Sequence, residues 1–98
     1  MDLPLNVRQV GLEILAYLAK HPEAKDTLEG VRHWWLEDPD RWSKQDVANA
    51  AQALVDRGLL RVWELNPGSA IFGPTGHFLQ SPQKFVREFA EHERNGSA

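Results

Sequence analysis

The chain has 98 residues, 42% of them hydrophobic, and eleven basic against fourteen acidic residues give a formal charge of -3. These values fit one soluble domain that can fold alone, with little room for a buried ligand cavity. The absence of cysteine excludes a disulfide framework, a thiolate nucleophile and a Cys-based zinc site, and it fits a reducing cytoplasm.

The N-terminus lacks a basic start followed by an apolar core, and no run approaches the roughly 20 apolar residues a bilayer crossing needs. The expectation is a soluble, unprocessed, cytoplasmic protein with no membrane partner. Charge is distributed unevenly. Residues 1 to 39 hold four basic and seven acidic residues, and the remainder is balanced. No basic block marks an electrostatic footprint for nucleic acid.

In chain order, Asn6 is placed to cap a first helix. Gln9 completes a capping box, Leu5 and Val10 form a hydrophobic staple, and Val7, Val10, Ile14, Leu15 and Leu18 line one face. Pro22 stops this helix near Lys20. The connection HPEAK is short and polar and shows no strand. A second helix is expected after Asp26, with Glu29 closing a capping box. It should carry Leu28, Val31, Trp34 and Trp35 inward before Pro39.

The third helix is the best marked. Ser43 caps it, Asp46 adds negative charge to its first turn, and Gly58 supplies a left-handed stop that lets Leu59 fold back on Leu54. Val47, Ala50, Ala51, Leu54 and Val55 share the core side, with Gln45, Asn49, Gln52 and Asp56 opposite.

Leu60 to Leu65 alternates as a half-buried strand, with Leu60 and Val62 on one face and Arg61 and Trp63 on the other. Asn66, Pro67, Gly68 and Ser69 suit a type II turn, and Ala70, Ile71 and Phe72 can return as the partner strand. Thr75 opens a helical turn around Phe78 and Leu79. Ser81 and Pro82 then start a last helix that packs Phe85, Val86 and Phe89 inward, and a polar tail frays from Glu91. The whole reads as a single domain, 1 to 98, with an ordered core of about 5 to 92. It is mainly α with a small β-hairpin: a three-helix core plus a C-terminal helix.

Val47, Ala51, Leu54, Val55, Gly58, Leu59 and Leu60, followed by Ile71, Phe72, Thr75 and Gly76, resemble the winged helix-turn-helix domains of bacterial transcription regulators. The likeness covers residues 43 to 76 well and the first two helices by order and length. It implies a third helix able to enter the DNA major groove, with a wing touching the backbone. Two departures weigh against that role: the turn NPGS and the strand AIF contain no Lys or Arg, and the loop from Glu37 to Trp42 is long and acidic.

Two binding classes follow. Gln45, Asn49 and Gln52 can bond adenine edges, with Lys44 and Arg57 as cations, but basic and acidic residues in this region are equal in number and Asp56 has the wrong sign. An exposed amide face is equally what solubility requires. Four tryptophans in so small a domain point instead to a protein interface, with Trp34, Trp35 and Trp63 as its contacts. Adjacent Trp34 and Trp35 diverge by about 100°, so one is expected to stay partly exposed. The plainer alternative puts Trp35 and Trp42 in the core and packs Trp63 across the hairpin.

The stripe Phe85, Val86, Phe89 and Ala90 is wide enough for both core and a homodimer contact. Glu29, His33 and Glu37 at helical spacing could hold a metal weakly, but a solvated helix face explains them better. The serines are accounted for as caps and turn residues, and no phosphate loop or nucleophile elbow occurs. The expectation is a non-enzymatic binding module without cofactor, with a protein partner favoured over DNA.

Overall fold

The computed structural model describes residues 3–66 and 69–95. The first helix, α1, is Leu5–Lys20, and it buries Val7, Val10, Ile14, Leu15 and Leu18 as the periodicity requires. It starts earlier than the Asn6 box implies. Pro4 occupies the cap at φ -55°, and its carbonyl accepts from the Arg8 N–H at 3.0 Å, so the ladder begins there and Asn6 lies within the first turn.

The connection after α1 contains one feature absent from the sequence pattern. Asp26 forms an isolated antiparallel bridge with Phe72: Asp26 N–H donates to the Phe72 carbonyl at 3.0 Å, and Phe72 N–H to the Asp26 carbonyl at 2.7 Å. Thr27, rather than Asp26, caps the next helix by accepting from the Gly30 N–H at 3.2 Å. This helix, α2, is Leu28–Gly30 and continues directly as a π-helical turn, Val31–Trp35. A short 3-10 turn at Pro39–Arg41 occupies the acidic loop, with Asp38 capping Asp40.

The third helix, α3, is Lys44–Asp56, and it matches its start and stop signals in detail. Ser43 and Asp46 form a reciprocal capping box. Gly58 adopts φ 75°, Gly58 N–H donates to the Val55 carbonyl and Leu59 N–H to the Leu54 carbonyl, both at 3.0 Å. That pair of bonds is the Schellman ending, and the positive φ is why glycine stands there.

Strand β1 (Leu60–Asn66) pairs antiparallel with β2 (Ser69–Pro74), Val62 opposite Phe72 and Trp63 opposite Ile71, with an irregularity between Glu64 and Asn66. Pro67 and Gly68, the centre of the expected type II turn, lie outside the described residues. Helix α4 (Gly76–Gln80) is capped by Thr75. Helix α5 (Pro82–Asn95) runs past the expected fraying point at Glu91, where Glu91, Glu93 and Arg94 are good helix formers. The protein is therefore mainly α with a small antiparallel hairpin.

One continuous core joins these elements. Ile14, Leu15 and Leu18 of α1, Val31 and Trp35 of the π turn, Trp42 before α3, Val47 and Leu54 of α3, and Leu60, Phe78 and Phe89 are all buried in it. Helix α5 lies close on α1 because Gly11 leaves space for Phe89: a Cβ at Gly11 would come within 2.9 Å of the Phe89 ring. Gly11→Ala should therefore destabilise the fold by about 1–3 kcal/mol through overpacking. In urea denaturation, adding Phe89→Leu should recover part of that loss, and strict additivity of the two changes would show that the ring is not what Gly11 accommodates.

Candidate functional site

The π turn decides the fate of the adjacent tryptophans. Its i to i+5 bonding widens the helix, so Val31 and Trp35 face inward with Leu36, while His33 and Trp34 face out. Trp35 is 4% exposed and its ring stacks on Tyr17 at 5.4 Å between centroids and 9° between planes. It belongs to the core, which removes it from the expected contact surface. Trp34, expected to point inward, is 74% exposed. The physical reason is geometric: once Val31 and Trp35 fill the inward side, the residue between them has no core to reach.

Trp63 has a third environment. It is half-buried on the hairpin face that it shares with Arg61, Ile71 and Gly73. Two cations approach its ring, Arg61 at 4.7 Å and Lys25 at 5.2 Å from the centroid. Gly73 provides the floor, since a Cβ there would meet both the Trp63 ring and the Lys25 stem at 3.1 Å. Alternation places Arg61 beside Trp63, but Lys25 has no local signal. It arrives because the Asp26 bridge pins the α1 to α2 connection against β2.

The outer face of α3 presents Gln45, Asn49, Gln52 and Asp56 to solvent, as its periodicity requires. Its polar groups are engaged with one another. The Gln45 side-chain amide donates to Asn49 Oδ1 at 2.9 Å, and that of Gln52 to Asp56 Oδ1 at 2.9 Å. Lys44 pairs with Glu29 at 3.1 Å. Arg57 turns back to donate to the Ala53 carbonyl at 3.2 Å, with its guanidinium 6.0 Å from the Phe89 ring centroid. The two cations proposed to meet phosphate are thus drawn toward the protein's own groups.

The Glu29, His33, Glu37 stripe is interrupted. Glu29 and His33 lie 3.7 Å apart, but the helix ends at Trp35, and the Glu37 N–H is bonded by Glu13 at 3.1 Å. Among the described residues no group of three or more His, Asp or Glu side chains could hold a metal ion. The hydrogen bond and charge of Lys44 hold the Glu29 carboxyl below its usual range, with His33 and Arg32 assisting.

Along α5, Phe89 is buried while Phe85, Val86 and Ala90 remain half-buried. Phe85 packs 4.7 Å from the His77 ring and 6.3 Å from Phe78. The fold thus covers Phe89 and leaves Phe85, Val86 and Ala90 partly open. No described helix is long and apolar enough to cross a membrane. No family model matches this chain, and no match is found among curated proteins or solved structures.

Trp34→Ala should change unfolding stability by about 0.5 kcal/mol or less, whereas Trp35→Ala should cost about 3–5 kcal/mol. Equal losses in chemical denaturation would mean the two side chains are not oppositely placed. Lys44→Met should raise the Glu29 carboxyl toward its ordinary value in an NMR titration. The sign follows from the lowered carboxyl: whatever the pair contributes is present above the unfolded-chain value and is lost as pH falls through the folded one. An unchanged Glu29 titration would show the pair to be absent in solution.

Proposed function

We propose that this chain is a non-enzymatic, cytoplasmic winged-helix module that acts by binding another protein through the surface around Trp34. The observation that carries the proposal is that Trp34 is 74% exposed. A tryptophan buries about 150–250 Å² when covered and is enriched among residues that dominate interface energy. Trp34 also stands on a helical turn fixed by the buried Trp35 beside it, so its backbone is held before a partner arrives. Trp63, half-buried under its two cations, is a weaker second contact.

The winged-helix assignment is supported by the order α1, Asp26 bridge, α2, α3 and hairpin. Many winged helices place a small strand between the first two helices, and the bridge at Asp26 occupies that position. The same observation favours a second reading, a DNA-binding regulator using Lys44, Gln45, Asn49, Gln52 and Arg57. The internal pairing of those residues and the -3 charge weigh against it, because nonspecific affinity for DNA requires several cations free to neutralise phosphate.

A photo-crosslinking residue at position 34, installed in the full chain in its native cells, should yield a specific protein adduct, and the same probe at exposed Gln52 should not. Purified adduct partner should then bind the wild type at least tenfold more tightly than Trp34→Ala. Adducts at both positions alike, or saturable binding to duplex DNA at physiological salt that Gln45→Ala and Asn49→Ala abolish, would overturn the assignment in favour of DNA or of no defined surface.

A further inference from the structure

Among the described residues, the hairpin carries a strand edge with no partner beside two cations that form no ion pair, and together they define a second surface. Phe72 gives both its N–H and its carbonyl to Asp26. In an antiparallel ladder, residues alternate between pairs that exchange both bonds and pairs that exchange none. Val62, directly opposite Phe72, is therefore in a pair of the second kind. Its own N–H and carbonyl point away from β2, to the outer edge of β1.

Among the described residues, no backbone bond joins Val62 to any other segment, and the residue is 39% exposed. An edge with unpaired backbone groups is a template for one more strand. This edge differs from the opposite side of the hairpin, where Asp26 caps β2.

Charge selects the strand. Among the described residues, the hairpin face formed by Arg61, Trp63, Ile71 and Gly73 carries no carboxylate, and Glu64 belongs to the other face. Asp26 turns away, its carboxylate accepting from the Thr27 N–H at 2.8 Å and packing where a Cβ on Gly30 would be. Among the described residues, neither Lys25 nor Arg61 forms an ion pair. Both are instead held over the Trp63 ring. A chain of net charge -3 thus carries a local positive spot whose side chains are partly fixed before any ligand arrives, which lowers the entropic cost of using them.

The geometry points to β1 as a docking edge for an extended acidic segment of a partner protein, adding as a strand beside Val62. Alternate carboxylates of that segment project toward Arg61 and Lys25. Side chains alternate along an added strand, so only every second residue needs to be acidic, and the others lie toward Val62. Nucleic acid fits this edge less well. Two cations would neutralise about two phosphates, a small part of what nonspecific binding needs, and the remaining acidic surface repels a polyanion.

The test uses the whole chain labelled with 15N and a hexapeptide of alternating Glu and Val as probe. Expected is a saturable shift of the Val62 backbone amide together with the Trp63 indole N–H. Replacing Glu by Gln in the peptide, or combining Lys25→Glu with Arg61→Glu in the protein, should weaken binding about tenfold. N-methylation of alternate peptide residues on the bonding side should abolish it. The spectra of the double variant report whether it is folded, and the Gln peptide tests the charge requirement on the unaltered protein.

Absence of a saturable shift, equal binding of the Glu and Gln peptides, or a duplex 12-mer shifting the same signals more strongly would overturn the assignment. Trp34→Ala should leave the peptide response intact. A failure at the β1 edge is therefore separable from a failure at Trp34.

Discussion

The end of α3 is the constraint on which the remaining architecture depends. Gly58 at φ 75° reverses the chain, and the Gly58 and Leu59 amides close the helix on Val55 and Leu54. The carbonyls of the same two residues then hold the far end of the hairpin: Thr75 Oγ1 donates to Gly58 at 2.7 Å, and the Thr75 N–H to Leu59 at 3.3 Å. Both strands are thus rooted at one point. Thr75 in turn caps α4, so one junction fixes the strand pair and the approach to α5. A residue with a side chain at position 58 would strain the only positive-φ backbone among the described residues.

From this root the hairpin does more than extend into solvent. Its second strand captures Asp26 through a single pair of bonds, and that contact draws Lys25 onto Trp63 while Thr27 begins α2. Asp26 serves twice, its backbone in the bridge and its carboxylate at the Thr27 N–H. The close fit of Gly30 over that carboxylate ties the start of α2 to the same place. The orientation of the π turn, and with it the division of Trp34 from Trp35, follows from an anchor at one end and the Tyr17 stack at the other.

The surface that results is divided in character. The outer face of α3 satisfies its own amides and carboxylates along the helix, with Lys44 drawn to Glu29. Such i,i+4 pairing is worth a few tenths of a kcal/mol and is easily exchanged for other partners. Among the described residues Trp34 is the most exposed large hydrophobic, while on the hairpin Lys25 and Arg61 lie over the Trp63 ring and form no ion pair.

The residues alone determined several features written in local chemistry, though not the caps at Asn6 and Asp26, which the structure moves to Pro4 and Thr27. The Ser43 cap with Asp46 in the first turn, the Gly58 stop, the inward stripe of α1, the strand alternation and the Thr75 and Pro82 starts each depend on neighbours within a few positions. Tertiary structure decided the rest, because the deciding contacts span distant segments. Asp26 meets Phe72 only once the hairpin exists, Lys25 reaches Trp63 only through that bridge, and Trp35 is buried because Tyr17 on α1 offers it a ring. Periodicity counts 100° per residue and therefore cannot anticipate a π turn, so which of two adjacent tryptophans would face water was settled by packing.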